Sequence, residues 1–412
     1  MVRILQHTFL VVLFFFTLNC SDLGGTAPET GRRTLPPLTP AQKAIVNADN
    51  SFGLKLFVAL NGTAAGQNLF ISPLSVSMAL GMTLNGANGS TRDAMQQTLE
   101  FTGLTQDDIN SSYAGLISSL THLDPTVRML IANSIWHRPT LNVEQEFKNL
   151  NMKYFHAEVN SIDFSDPSAA RTINFWVDQN TNGRITSIVP DPIPSDLVMY
   201  LINAIYFKGT WTHRFETHAT YQAQFTLSDG SKVPCQMMKM TDTLALLNQN
   251  GLLGVDLPYG NAGFSMTILL PPAGVKIDDF VASITPSLWN SWTSAFVTGE
   301  VEIHLPKFRL AYEAKLNQVL SDMGMGIAFT DGADFTGIDR RGSLAISEVK
   351  HKSFVQVDEE GTEAAAVTSV GIRLTSVGGT TVLRLDRPFL YVIREHDSGT
   401  ILFIGKLAIP VW

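Results

Sequence analysis

Histidine, aspartate, glutamate and cysteine are the side chains from which a metal centre or a hydrolytic site would be built, and here they are scattered. His213 and His218 stand five apart with Glu216 between them. That spacing misses the shared helical face a zinc pair needs, so both read as surface histidines. Asp331, Asp334 and Asp339 gather near Gly332 and Gly337. They do not keep the order of a calcium loop and read as a solvated turn. Cys235, in VPCQMMKM, has methionine neighbours and reads as a small buried hydrophobe. The chain holds no G-x-S-x-G elbow, H-E-x-x-H, P-loop or C-x-x-C. No nucleophile, base and oxyanion hole assemble, so the sequence argues against an enzyme and calls for no metal or cofactor. A hydrolase would need a triad dispersed along the chain.

The stretch with a chemistry of its own is Asp358 to Ser376, DEEGTEAAAVTSVGIRLTS. Thr362, Ala364, Ala366, Thr368 and Val370 fall on every second position, with Glu363, Ala365, Val367, Ser369 and Gly371 between them. At the period of a strand these sets lie on opposite faces. One face has neither charge nor bulk and suits burial. The other carries Glu363 and Ser369 and suits water. Alanine and glycine are nevertheless poor strand formers, and the flanking glycines favour a loop. The segment therefore reads as one able to live as an exposed loop and also to enter a sheet. On composition alone, a flexible linker or a short alanine-rich helix stays open.

Such a segment needs a large scaffold. The chain has 412 residues, 45% hydrophobic and 16% charged, which is a globular composition. Its net charge is −8. No Lys/Arg cluster suggests nucleic acid or another polyanion. Arg3 precedes an apolar run, Phe9 to Leu18, too short to span a bilayer comfortably. Residues 1–20 read as a secretory signal. Cys20 directly after the run makes a lipoprotein signal, with Cys20 lipidated, the alternative. Residues 21–40 have a tether-like composition, and 41–412 read as one domain. Asn61, Asn88 and Asn110 stand in N-x-S/T sequons, which matter only in a eukaryotic secretory pathway.

Within the domain, Ile45, Ala48, Phe52, Leu56 and Ala59 recur at helical spacing. Asn68 to Ser72 reads as a short strand. Ser72-Pro73 then caps and opens a buried helix. A helix over 91–99, a strand over 128–137 and helices over 143–154 and 168–182 follow. Leu197 to Phe207 is a nearly continuous apolar run, the mark of a central strand. Short strands fill 222–270. Val301 to Leu310 alternates ahead of a predicted helix, Tyr312 to Met323. The chain closes on the hairpin FLYVIRE and TILFIGK. Helices dominate the first half and strands the second, without a βαβ rhythm, so the fold class is α+β.

The blocks NLFISPLSVSMAL (68–80), NFWVDQNTNGRI (174–185), LINAIYFKGTW (201–211), VEIHLPKFRL (301–310), VKHKSFVQVDEEGTEAAAVTS (349–369) and RPFLYVIREHDSGTILFIGKL (387–407) resemble those of the serpins, in the same order. The resemblance covers essentially all of 39–412. It implies a serpin fold of three β-sheets with about nine helices, and a reactive-centre loop exposed from Gly361 to about Leu385. It also implies a suicide-substrate inhibitor. A serine protease cuts the loop, the acyl-enzyme forms, and the cut loop inserts into the large sheet between the Leu197–Phe207 strand and the strand ending at Val357.

The resemblance assigns roles residue by residue. Gly361, Thr362, Glu363, Ala364, Ala365, Ala366 and Thr368 match the hinge of inhibitory members, with Val367 a departure from the usual alanine. Ser72, Ser75, Asn203 and His351 match a hydrogen-bonded cluster beneath the sheet, where strands part. Trp211 matches the tryptophan where insertion starts, and Lys307 and Glu359 match a salt bridge there. The family's spacing puts the reactive bond at Thr375–Ser376, which suits an elastase-like or subtilisin-like protease. Gly361 to Pro388 spans 27 positions, longer than in many relatives. Arg373, for a trypsin-like protease, and Leu374, for a chymotrypsin-like one, therefore stay open. The implied partner is a target serine protease held covalently, with cysteine proteases a further class. No nucleic acid, no heparin-like activator and no membrane contact beyond a lipid on Cys20 are expected, and the protein reads as a secreted or lipid-anchored monomer. The competing reading is a non-inhibitory serpin acting as a carrier or binding protein, which the unobstructed hinge disfavours.

Overall fold

Thr39 opens the first helix through a reciprocal cap. Its hydroxyl accepts from Gln42 N–H, and Gln42 Oε1 accepts from Thr39 N–H. The computed structural model describes residues 34–362 and 381–412. Along these run α1 (Pro40–Thr63), β1 (Leu69–Ile71), α2 (Pro73–Leu84), α3 (Gly89–Thr98) and α4 (Gln106–His122). Then come β2 (Val127–His137), α5 (Gln145–Phe155), β3 (Glu158–Ser161), α6 (Ala169–Asn180) and β4 (Met199–Thr210). The strands β5 (Tyr221–Thr226), β6 (Lys232–Gln249), β7 (Leu252–Tyr259) and β8 (Phe264–Leu270) follow, with helices α7 (Ile277–Ala282) and α8 (Pro286–Ser294). The last part holds β9 (Val297–Pro306), β10 (Phe308–Lys315), α9 (Asn317–Leu320), β11 (Lys350–Val357), β12 (Gly361–Thr362), β13 (Thr381–Arg384), β14 (Phe389–Glu395) and β15 (Ile401–Leu407).

The smaller sheet has the order β10-β11-β12-β4-β2-β3. Its left half is the β10–β11 ladder, Phe308↔Val357 to Lys315↔Lys350. Its right half is the β4–β2 ladder, Val127↔Gly209 to His137↔Met199. Among the described residues, only Gly361 and Thr362 join the two halves. The larger sheet runs β1-β15-β14-β8-β7-β6-β9-β13, with β5 also on β6. Three sheets were expected. Two are fused here, because β6 pairs with β5 and β9 along its first part and with β7 at its end.

Helix α2 lies under the smaller sheet. Ser72 caps it through Ser75 N–H, with Pro73 at its first position, and it is buried on nearly every side. A second packing region holds Trp136, Phe164, Ile173, Val177 and Ile202, where α6 covers the opposite face of β2 and β4.

Several expectations need correcting. Tyr312 lies in β10, and the helix starts only at Asn317, running as α9 to Leu320 and continuing as a π-helical turn over Ser321–Met325. The half-buried Leu310, Tyr312 and Ala314 alternate with exposed neighbours, and β10 uses that two-residue period to pair with β11. Helix α4 was missed, although Thr105 and Asp108 form a capping box at its start. Asp339 is not solvated: it is buried, paired with Arg341 and accepting from Asn142 N–H. Among the described residues no His, Cys, Asp and Glu gather as metal ligands. Cys235 is buried. Of the sequons, Asn61 and Asn110 are buried and only Asn88 is exposed. The stretch expected to be exposed from Gly361 to about Leu385 is paired into the sheets at both described ends, although Thr381, Val382 and Arg384 stay exposed. Gly361 and Thr362 lie in the smaller sheet, while Thr381–Arg384 pair with β9 and Leu385 is buried.

Candidate site of strand insertion

The smaller sheet parts where β11 turns back into β12. Val357 pairs with Thr362, while Gly361 and Thr362 pair with Thr210 and Gly209 of β4. Gly361 has φ +155°, and a Cβ there would lie 2.1 Å from Gly209 O. Only glycine fits so close to the neighbouring backbone. Thr362 is 3% exposed, and its hydroxyl is hydrogen bonded to Tyr259 OH at the end of β7. Burial pushes the Tyr259 phenol far above its usual pKa, so it stays neutral and fit to share a proton with Thr362.

Trp211 frames this point. Its ring stacks on Tyr259 at 4.5 Å, and its Nε1–H donates to Asp358 O over 2.9 Å. Trp211 N–H donates to Glu360 O and Phe215 N–H to Glu359 O, so the turn 358–360 is held by its backbone. Lys307 Nζ lies 2.8 Å from Glu359 Oε2, and Thr220 Oγ1 donates to Glu359 Oε1 over 2.7 Å. Burial alone would raise the Glu359 carboxyl. The bonds from Lys307 and Thr220 outweigh it and hold the group below its usual value. Glu359 is therefore a charged anchor at neutral pH.

Further down, Ser72, Ser75, Asn203 and His351 come together. Ser72 N–H donates to His351 Nε2 over 3.1 Å, and Ser72 Oγ–H to Leu402 O over 2.7 Å. Ser75 Oγ–H reaches Asn203 O at 3.4 Å. Burial lowers the His351 pKa to about 4, so the ring is neutral and its Nε2 free to accept. A cavity of about 150 Å³ lies here, bounded by α2, β4 and β11, with Ser72, Ser75, Asn203 and His351 in its wall. Asn203 Nδ2–H donates to Asn133 Oδ1 over 2.8 Å, while Asn203 Oδ1 is buried without a partner among the described residues.

Among the described residues β4 and β11 are not paired with each other, and the interval between them is set at its upper end by Gly361 and Thr362. Neutral polar groups line its floor and an ion pair sits at its head. That arrangement suits the addition of a strand, not turnover of a substrate.

A family model described as Serpin (serine protease inhibitor) matches residues 47–410. The chain belongs to the serpin family. It is 34% identical to human Serpin B11 over 390 residues, 89% of this chain and all of that one. It is 34% identical to the pig leukocyte elastase inhibitor over 374 residues, covering 88% and 98% of the two chains. Among solved structures, the native-state thermophilic serpin tengpin shares a TM-score of 0.82 at 30% identity, over 91% of this chain and 96% of that one. A cleaved Serpin 42Da shares a TM-score of 0.81 at 27% identity, over 90% and 100%. Serpins are protease inhibitors rather than enzymes, and relatives of this chain are named as inhibitors.

Of the serpin site residues read from the sequence, Gly361, Thr362, Trp211, Lys307 and Glu359 meet at the head of the interval, and Ser72, Ser75, Asn203 and His351 at its floor. Glu363, Ala364, Ala365, Ala366, Thr368, Arg373, Leu374, Thr375, Ser376 and Cys20 lie outside the described residues. Tyr259, Thr220 and Asn133 were missed. No local pattern marks them, because each reaches the site from an element distant in sequence from the residue it bonds.

Proposed function

We propose that this serpin is an irreversible suicide-substrate inhibitor of serine endopeptidases, whose cut loop inserts between β4 and β11. The observation that carries this reading is the seating of Gly361 and Thr362 between those two strands. If insertion continues in this register, Ala364 and Ala366 come opposite Phe207 and Ile205. Thr368 comes opposite Asn203 on β4 and His351 on β11. The small inward side chains suit the space below, and the Thr368 hydroxyl is the group that would satisfy Asn203 Oδ1. Thr375–Ser376 is the reactive bond in this reading, with a protease of small primary pocket as the target. The Phe9–Leu18 run supports export, with a lipid on Cys20 as the anchored form.

The test is incubation with elastase, subtilisin, trypsin and chymotrypsin, followed by denaturing gels and mass measurement of the released fragment. A denaturant-resistant complex with a fragment starting at Ser376 is expected. A fragment starting at Leu374 would move the bond to Arg373. Cleavage by every protease without a complex would overturn the inhibitory reading.

A further inference from the structure

Lys307 has a second partner besides Glu359. The ring of Trp412 lies 4.3 Å from its Nζ, measured to the ring centroid. Val411 O accepts from Arg309 N–H over 2.7 Å, which brings the segment after β15 beside the start of β10. Trp412 is about half exposed, at 48%, whereas the Lys307 and Glu359 side chains are 17% and 9% exposed. The indole therefore lies against an ammonium that also meets the Glu359 carboxylate.

We infer that Trp412 is a positioning residue for loop insertion, acting on the hinge through Lys307 and Glu359. An aromatic face attracts the ammonium and keeps water from it, which strengthens the ion pair beneath. Glu359 belongs to the turn 358–360 that aims β12 into the sheet, and Gly361 follows it by two residues. Trp412 thereby helps fix the direction in which the loop enters, without touching loop or protease. The effect on inhibition rests on the inhibitory reading above; the effect on the hinge does not.

The experiment compares the full chain with Trp412→Ala and Trp412→Phe. In the free protein, amide exchange over 360–362 is expected to quicken ~3–10-fold in Trp412→Ala and to return within about twofold of the parent in Trp412→Phe, which keeps an aromatic face. In the Lys307→Met background, Trp412→Ala should add nothing further, because its partner is gone. With a protease that the parent traps, Trp412→Ala should raise the moles of inhibitor consumed per mole of protease by the same ~3–10-fold. Unchanged exchange in a folded Trp412→Ala protein would overturn the inference. So would an undiminished effect in the Lys307→Met background. A parent chain that traps no protease would overturn the inhibitory reading alone, since the exchange measurement still decides the role of Trp412.

Discussion

Thr362 takes its backbone partners from one sheet and its side-chain partner, Tyr259, from the other. The hinge is thus held at the junction of the two sheets, where Trp211 and Tyr259 also form an isolated bridge. Under the proposed inhibitory function, Thr362→Arg is expected to act as a substrate, because seating the hinge would bury an unpaired guanidinium. Gels with a trapped protease decide this: cleaved inhibitor should replace the covalent complex. Full retention of inhibition would count against insertion.

Tyr259→Phe removes only the hydroxyl. It leaves Thr362 Oγ1 buried without this partner, at a cost of about 1–2 kcal/mol. A denaturant midpoint lowered by that amount, with an unchanged slope, is the expected result.

Gly361→Ala places a methyl against Gly209 O, in a backbone region that side chains avoid. The hinge should leave the sheet, with a loss of about 1–3 kcal/mol. Faster amide exchange at Trp211, whose N–H bonds Glu360 O, would accompany it.

Asp49 gives a pH signature. Its Oδ1 accepts from the hydroxyls of Ser77 and Tyr113, while Oδ2 is buried with no partner among the described residues. Burial raises its pKa from 3.8 to about 7, against the pull of those two hydrogen bonds. The folded state then keeps a proton that the unfolded chain has released. This contribution is fully present below about pH 4 and is lost as pH rises through about 7. The difference amounts to roughly 4 kcal/mol. Asp49→Asn keeps an acceptor for both hydroxyls and takes no charge. Melting curves between pH 5 and 8 should show the variant gaining on the parent as pH rises. Parallel curves would refute this.

Loop cleavage should raise the melting temperature sharply. About ten new ladder hydrogen bonds, at ~0.5–1.5 kcal/mol each, give roughly 5–15 kcal/mol, comparable to the stability of a whole domain. Scanning calorimetry before and after a confirmed cut checks it, and an unchanged curve would refute a metastable uncut state.

Local signals carried much of the fold into the sequence. Ser72-Pro73 marked the start of α2, and the apolar run from Leu197 marked β4, because a cap or a buried strand is written in adjacent residues. The error at Tyr312 arose from a short amphipathic stretch that suits either period, which pairing with β11 resolved in favour of the strand. The site was legible as a set of residues and not as a geometry. Nothing in GTEAAA says that its first two residues already pair with β4. That depends on a missing Cβ at Gly361 and on a tyrosine 103 positions away from Thr362.

The stacking of Trp211 on Tyr259 has an optical consequence. Of six tryptophans, this one lies 4.5 Å from the ring whose hydroxyl meets the hinge. Any movement of Thr362 changes the polarity and hydrogen bonding beside that indole. The protein therefore carries its own chromophore at the head of the sheet, and a stopped-flow trace of its emission would time movement at the hinge, including the first step of the proposed insertion, without an added label.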